Sequence, residues 1–305
     1  MGEQLGFDGM PQRLYSCTPS RLNGWLECRR RYRFTYLDRP APSKGPPWAH
    51  NSVGLSVHNA LAAWWREPYE RRTPETAGAL LTNAWIDEGF RDREQSLSWR
   101  ERAREMVTGY TRILDPAADP VGVERTVATR TSVIAVSGRV DRLDRRGDEL
   151  VVVDYKTGRR PLTADDARSS LALAVYAVAA SRMLRLPCRR VELHHLPTAS
   201  VAAWEHTEES LARHLRRAEE VALEASRADD RYREWAASRR DVSAGRRTGG
   251  RSDGVRTPPA VPPEIDAEFP PNPGPLCPWC DYRRHCPEGQ AAAPARQPWD
   301  GLADG

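Results

Sequence analysis

Two aspartates and a lysine within residues 138–157 have the types and spacing of a metal-dependent hydrolytic site. Gly147-Asp148 lies between two runs with strand-like alternation, and such a dipeptide closes a two-residue hairpin. A turn there places Asp141 directly opposite Asp154, where β-carbons are roughly 4.5–5.5 Å apart and like charges repel. Lys156 follows Asp154 by two residues and therefore shares its face. The segment predicts a divalent metal held by carboxylate oxygens beside an ammonium.

Lysine is rare in this chain. Among the 46 basic residues, the lysines are Lys44 and Lys156, and the rest are arginine. A chain that uses arginine for ordinary positive charge is expected to keep a lysine where a compact ammonium of adjustable pKa is needed. The alternative interpretation is a solvated strand face whose charges offset one another, and the spacing alone does not decide between the two.

Composition limits the class of protein. The 305 residues can form one large domain or two small ones, with 39% hydrophobic residues to supply a core. The net charge is only +4, but its uneven spread leaves room for basic surfaces suited to phosphate-rich partners. The sequence has neither a signal peptide nor an apolar run that could span a bilayer, so we expect a cytoplasmic protein without membrane association. It also lacks a G-x-x-x-x-G-K-[ST] loop, so no ATP site is expected.

The first predicted helix covers residues 18–37 and begins at Thr18-Pro19, a capping residue followed by proline. It carries Cys28 and, at 29–34, a run in which arginine and aromatic residues are interleaved. Such a run can contact a nucleic acid, although a solvated basic face over half-buried aromatics is the commoner outcome.

The following elements are predicted from periodicity. A second helix begins near Ser52 and carries His58 on an otherwise apolar face, where a histidine is more often a core residue than a ligand. A strand over 121–131 has Glu124 near its start. The remaining predicted elements are two helices within 75–114, one from about Asp165 to Met183, a strand pair at 191–196 and 201–206, and a charged helix over 208–238.

Three cysteines near the C-terminus, Cys277, Cys280 and Cys286, form a C-x2-C-x5-C pattern that is typical of metal binding. A fourth ligand must come from elsewhere, and the candidates include Cys28, Cys17, Cys188 and His285. Four thiolates can hold either a [4Fe–4S] cluster or a structural zinc, and the spacing does not separate these.

Taken together, the segments resemble the RecB-like branch of the PD-(D/E)xK nuclease superfamily. The resemblance is closest to iron–sulfur members such as the AddB nuclease domain and the CRISPR-associated adaptation exonucleases. The matching segments occur in the family's order and cover most of the chain: Thr18-Pro-Ser-Arg-Leu, Cys28-Arg-Arg-Arg-Tyr-Arg-Phe, Gly54-Leu-Ser-Val-His, Gly138-Arg-Val-Asp, Val153-Asp-Tyr-Lys-Thr-Gly and the cysteine cluster.

This resemblance implies an α/β fold with a restriction-endonuclease-like core, in which helices flank a mixed central sheet. An N-terminal helical segment and a C-terminal cysteine cluster complete it. We expect a nuclease domain over residues 1–240, a disordered linker over 241–275, a cysteine segment at 276–290 packed on the N-terminal helix, and a flexible tail at 291–305.

The resemblance also implies roles for individual residues. The catalytic Mg²⁺ or Mn²⁺ would be bound by the side chains of His58, Asp141 and Asp154 and by the carbonyl of Tyr155. Lys156 would orient or activate the attacking water and stabilise developing phosphate charge. Glu124 corresponds less closely to an acidic position that serves in the outer shell or at a second metal.

For the cysteines, the resemblance implies a [4Fe–4S] cluster bound by Cys28, Cys277, Cys280 and Cys286, which leaves Cys17 and Cys188 spare. Two positions depart from the family pattern. Ala172 lies where a glutamine often contacts substrate, although Tyr176 of the same motif is kept, and Val140 replaces a proline before the first aspartate.

The implied activity is metal-dependent hydrolysis of DNA by an exonuclease of the recombination and repair type, which favours single-stranded ends. Its partners would be DNA and a separate helicase or recombination subunit. One alternative is a catalytically silent DNA-binding or assembly subunit, which the intact set of His58, Asp141, Asp154 and Lys156 disfavours. Another is a zinc-stabilised structural protein without a DNA role.

Overall fold

A mixed six-stranded sheet organises the computed structural model, which describes residues 14–245 and 261–302. Its strands are β1 (Tyr15–Cys17), β2 (Gly122–Arg130), β3 (Ile134–Arg146), β4 (Glu149–Lys156), β5 (Arg190–His195) and β6 (Ser200–Glu205). Strand β2 runs antiparallel along one edge of β3. The other edge of β3 pairs with β1 in parallel and then with β4 antiparallel. Strand β5 lies parallel to β4, and β6 is antiparallel to β5.

Helices cover both faces of this sheet. Within the described residues they are α1 (Pro19–Glu27), α2 (Arg29–Tyr36), α3 (Ala49–Arg66), α4 (Pro74–Asn83), α5 (Arg93–Thr111), α6 (Ala164–Ser169), α7 (Leu171–Leu184), α8 (Glu208–Gly245), α9 (Pro263–Asp266) and α10 (Pro287–Ala292). Helices α3, α4 and α5 share a core with Val151 and Val153 of β4, whereas α7 packs against Leu150 and Val152 on the opposite face. The predicted α/β core with a mixed, helix-flanked sheet is confirmed.

The β3–β4 hairpin follows the sequence prediction closely. Arg146 pairs with Glu149, so the turn consists of Gly147 and Asp148. Gly147 has a φ of +61°, a left-handed conformation that glycine adopts without a steric penalty. The turn residues therefore fix the register of the strands that carry the acidic residues.

Two predicted helices are each interrupted by one extended residue. The helix predicted over 18–37 is divided at Cys28, whose backbone is extended and whose sulfur accepts the main-chain N–H of Arg31. The helix predicted from Asp165 to Met183 is divided at Ser170, whose hydroxyl accepts the N–H of Leu173 and so caps α7. In both cases a side chain replaces the helical hydrogen bonds that the break removes.

The C-terminal part packs more closely than a disordered linker and a flexible tail would. Residues 246–260 of the expected linker lie outside the described residues. After them, Phe269 is fully buried between Trp25 and Tyr232. Leu302 joins the α3 core, and the carbonyl of Pro298 accepts the N–H of Ala49. No helix in the described ranges is both long and apolar enough to cross a bilayer.

Candidate active site

Three adjacent strands each contribute one carboxylate at the same level of the sheet. Arg142 pairs with Val123 of β2 and with Val153 of β4. Moving one residue along β3 in these registers places Asp141 opposite Glu124 on one side and opposite Asp154 on the other. The predicted opposition of Asp141 and Asp154 is thus consistent with the observed register, and Glu124 extends the acidic row across β2.

His58, Glu124 and Asp141 form a group of potential metal ligands, because one donor atom from each lies within 4.8 Å of the others. Nδ1 of His58 is 3.3 Å from Oδ1 of Asp141. The main-chain N–H of Tyr155 donates a 2.8 Å hydrogen bond to Oδ2 of the same carboxylate. Helix α3 holds the imidazole in this position because neighbouring residues such as Val57 and Leu61 are fully buried beneath it.

Asp154 lies beside Lys156, with which it was expected to share a strand face. Its Oδ2 lies 2.7 Å from Nζ of Lys156, whose side chain is 46% exposed. The Asp154 carboxylate does not belong to the group formed by His58, Glu124 and Asp141. The structure therefore groups Glu124, the less securely assigned acid, with His58 and Asp141.

Glu124 adopts a strained backbone conformation, with a φ of +51°. A residue other than glycine in the left-handed region costs on the order of 1–3 kcal/mol, and such residues cluster at functional sites. This conformation interrupts the β2–β3 ladder at the position opposite Asp141. Nε of Arg139 lies 2.7 Å from Oε2 of Glu124 and offsets part of the acidic charge.

The protonation equilibria show how crowded these charges are. Burial lowers the pKa of His58, but the hydrogen bond and charge of Asp141, with the charges of Asp154 and Glu124, raise it above its usual value. Burial and the charge of Asp141 raise the pKa of Glu124, although Arg139 opposes the rise. Burial also raises the pKa of Asp154 against the opposing charge of Lys156. A bound cation would stabilise all three in their metal-binding forms.

The donor set suits a hard divalent cation. Carboxylate oxygens are the ligands that Mg²⁺ and Mn²⁺ prefer, and an imidazole can accompany them. Oδ2 of Asp154 is buried and, although an ammonium is nearby, it accepts no well-aligned hydrogen bond. This acceptor, together with the ligand group at His58, fits a Mg²⁺ or Mn²⁺ site.

Sequence reasoning missed two residues beside this site. Arg139 shares the strand face of Asp141, and strand alternation could have indicated this. His195 lies opposite Lys156 on β5; its Nε2 is 2.6 Å from the carbonyl oxygen of Gly158, and its Nδ1 is 2.7 Å from Oγ1 of Thr198. It anchors the segment that follows Lys156, a contact between distant parts of the chain that no local pattern shows.

Tyr176 of the retained motif also lies near the acidic residues. Burial raises its pKa, and the charges of Asp154 and Asp141 add to the rise. A β-carbon at Gly138 would lie 2.4 Å from the Tyr176 ring, so only glycine allows this ring to approach β3. Ala172, the departure from the family motif, is half-buried on the same helix.

A second candidate site joins a cysteine near the N-terminus to three cysteines near the C-terminus. Cys28, Cys277, Cys280 and Cys286 line one cavity of about 210 Å³. Each sulfur accepts a main-chain N–H; the donors are Arg31, Gly274, Tyr282 and Gly289, respectively. The two cysteines outside this cavity are core residues, and burial raises the pKa of Cys17 to about 11 and that of Cys188 to about 12.

The chain matches a known protein family. Residues 16–287 match the model of the PD-(D/E)XK nuclease superfamily. Among solved structures, one from Eubacterium rectale described as "Putative exonuclease" is 11% identical, covers 89% of this chain and 88% of its own, and superposes with a TM-score of 0.45. That score is too low to bear on fold or activity. No curated protein matches the chain.

Proposed function

This chain belongs to the PD-(D/E)XK nuclease superfamily, and we propose that it is a Mg²⁺- or Mn²⁺-dependent DNA exonuclease that acts on single-stranded ends. The observation that supports this most directly is the convergence of His58, Glu124 and Asp141 beside the Asp154–Lys156 pair. These residues combine oxygen and imidazole ligands with one partly exposed ammonium, that of Lys156 at the end of β4.

We propose a role for each of these residues. His58, Asp141 and Asp154 would bind the metal, with the carbonyl of Tyr155, and Glu124 would contact it directly or through water. When bound, the metal supplies a water that ionises near neutral pH and a counter-charge for the phosphate. The N–H of Tyr155 holds the Asp141 carboxylate in place before substrate arrives.

Lys156 would orient the attacking water and stabilise the charge that develops on the phosphate. Its ammonium is held by Asp154, and its side chain is nearly half exposed, so it can reach a substrate without being desolvated first. A compact ammonium suits this role because it can approach both a water molecule and a phosphate oxygen.

The four cysteines around the 210 Å³ cavity are proposed to bind a [4Fe–4S] cluster. Sulfurs around one zinc would be about 3.8 Å apart, because four bonds of about 2.3 Å point to the corners of a tetrahedron. No three of these sulfurs lie within 4.8 Å of one another among the described residues. The wider spacing favours a cluster over a single zinc.

We further propose a role in recombination or repair, with a separate helicase or recombination subunit as partner, because the described chain offers a site for cutting DNA but no phosphate loop for an ATP-driven motor. The cysteine site would be structural. It joins residue 28 to residues near 280, so binding there would fasten distant parts of the chain.

The test is cleavage of end-labelled single-stranded DNA by anaerobically purified protein with Mg²⁺ or Mn²⁺. Lys156→Ala is the test variant. Lys44→Ala is its control, since Lys44 is the other lysine, is 61% exposed and pairs with Asp281 near the cysteine cavity. Wild type and the control should cleave, whereas Lys156→Ala should lose about 10²-fold or more of the rate.

A ladder of single-nucleotide products would give the polarity of an exonuclease, and internal fragments would instead indicate an endonuclease. If folded wild-type protein bound DNA but cleaved nothing with either metal, the nuclease proposal would fail. A catalytically silent assembly subunit would then be the better interpretation.

A further inference from the structure

Arg139 is a cation that lies against Glu124, one of the candidate metal ligands. It precedes Asp141 by two residues on β3, so both side chains project from the same strand face about 7 Å apart. Its Nε is 2.7 Å from Glu124, while its side chain remains 66% exposed. Within residues 14–245 and 261–302, this ion pair is the side-chain contact that restrains a long and largely exposed arginine.

This ion pair is suited to being exchanged. The guanidinium side of the pair is exposed, and ion pairs that reach solvent contribute little free energy, so Arg139 can leave Glu124 at small cost. The β2–β3 pairs on either side of Glu124 keep this residue opposite Asp141. Its position in the sheet therefore does not depend on the guanidinium.

We propose that Arg139 exchanges partners during the reaction: it neutralises Glu124 before the metal binds and then binds a phosphate of the DNA strand beside the metal. This rests on the proposed nuclease function. A divalent cation near Glu124 and Asp141 repels the guanidinium and takes over the charge that it offset. A guanidinium released there presents a planar fork of donors that matches two phosphate oxygens.

The proposed exchange and a purely structural ion pair predict opposite effects of removing Arg139 on metal affinity. Because Arg139 and the metal compete for Glu124, removing the guanidinium should strengthen metal binding. Removing it should also weaken the binding and cleavage of DNA, because a phosphate contact is lost. A purely structural ion pair would give the opposite result for the metal, since a Glu124 that lost its support would bind less well.

The experiment compares Arg139→Gln and Arg139→Lys with wild type. Arg145→Gln is the matched control, because Arg145 is an exposed arginine on the same strand that pairs with Asp148 at the hairpin turn. Mn²⁺ affinity is measured by calorimetry without DNA, DNA affinity is measured with Ca²⁺ in place of Mn²⁺, and cleavage is measured with Mn²⁺. Circular dichroism verifies that each variant is folded.

Arg139→Gln should bind Mn²⁺ about 2- to 5-fold more tightly, which is the effect of removing a competing exposed ion pair. Its cleavage should fall by about 10²-fold, and its DNA affinity should fall as well. Arg139→Lys, which keeps the charge but not the fork, should recover part of the cleavage, and Arg145→Gln should match wild type throughout.

Unchanged or weaker Mn²⁺ binding by folded Arg139→Gln would overturn the exchange, and so would cleavage at the wild-type rate. If wild type itself cleaves nothing, the nuclease function fails separately. The Mn²⁺ and DNA affinities then still test whether Arg139 exchanges Glu124 for a phosphate. Equal affinities for wild type and Arg139→Gln would overturn the exchange.

Discussion

The main-chain N–H of Tyr155 and the Asp141 side chain are joined by a 2.8 Å hydrogen bond that crosses from β4 to β3. The other oxygen of this carboxylate lies 3.3 Å from Nδ1 of His58, on α3. Asp141 is thus oriented from both sides by elements of the rigid core. Such preorganisation is what a metal site requires of its ligands.

Asp141→Asn should remove one negative charge from this site while leaving its shape nearly unchanged. The amide oxygen can still accept the Tyr155 N–H, so we expect a melting temperature within a few degrees of wild type. With one negative charge fewer, Mn²⁺ affinity should fall by about 10-fold or more, and cleavage should be lost. Calorimetry and the DNA assay measure these effects.

Asp148→Asn is the control for Asp141→Asn, because its carboxylate lies on the hairpin turn and is 99% exposed. Its Mn²⁺ affinity should equal that of wild type. Wild-type Mn²⁺ affinity in Asp141→Asn would show that this carboxylate is not a ligand, even if cleavage were reduced.

Cys28→Ser should lower both the iron content and the stability of the protein. The Cys28 sulfur lines the same cavity as the other three cysteines of the site, and its replacement removes one of four thiolates. We expect iron and sulfide per chain, measured after anaerobic purification, to fall well below wild type. The melting temperature should fall with them, because metal binding stabilises only the folded chain.

Cys188→Ala provides the comparison, since Cys188 is fully buried in another core and lies outside the cavity. It should cost stability through lost packing and still retain iron. A full complement of zinc in wild type, with no iron, would contradict the cluster and favour the alternative metal.

Glu192 should contribute strongly to stability through a buried network next to the site. Its carboxylate accepts two 2.8 Å hydrogen bonds from Arg146, one of 2.7 Å from Arg190 and one of 2.9 Å from His194. Burial opposes ionisation, but these partners hold the pKa of Glu192 well below its usual range. Glu192→Gln should lower the free energy of unfolding by about 2 kcal/mol, less than for a fully buried pair because both arginines are partly exposed.

Urea unfolding at pH 7 measures this loss. Glu220→Gln is the control, because Glu220 forms an exposed pair with Arg217 and should change the free energy of unfolding by less than about 0.5 kcal/mol. Equal midpoints for wild type and Glu192→Gln would show that the network contributes no net stability.

The parts of the site that depend on local pattern could be predicted from the sequence. Gly147-Asp148 has the turn chemistry of a hairpin, and the turn fixes which residues of β3 and β4 oppose each other. The alternation of the two strands then selects Asp141, Asp154 and Lys156, and the structure has Asp154 and Lys156 in contact. The position of His58 relative to them depends on how α3 packs, and the resemblance to a family supplied it.

What could not be predicted depends on contacts between distant parts of the chain. The strained φ of Glu124 and its pairing with Arg139 follow from the β2–β3 register, which no local signal fixes. The burial of Phe269, in a segment with a polar composition, follows from its packing against Trp25 of α1 and Tyr232 of α8. Tertiary packing overrides local propensity in each case.

His206 should make stability depend on pH. The residue is 1% exposed, its Nδ1 is 2.9 Å from Oγ of Ser210, and its Nε2 has no hydrogen-bond partner among the described atoms. Burial, with a smaller effect from His214, lowers the pKa of His206 to about 4. Between that value and about 6.5, its value in the unfolded chain, the unfolded state binds the extra proton, so acid favours unfolding.

The contribution of His206 is therefore complete above pH 6.5 and is lost as the pH falls towards 4, by a total of about 3 kcal/mol. His206→Gln cannot titrate, so its free energy of unfolding should decline less over this interval than that of wild type, whatever its value at pH 7. Urea unfolding at several pH values measures these slopes, and parallel curves for wild type and His206→Gln would mean that water reaches the His206 ring in the folded protein.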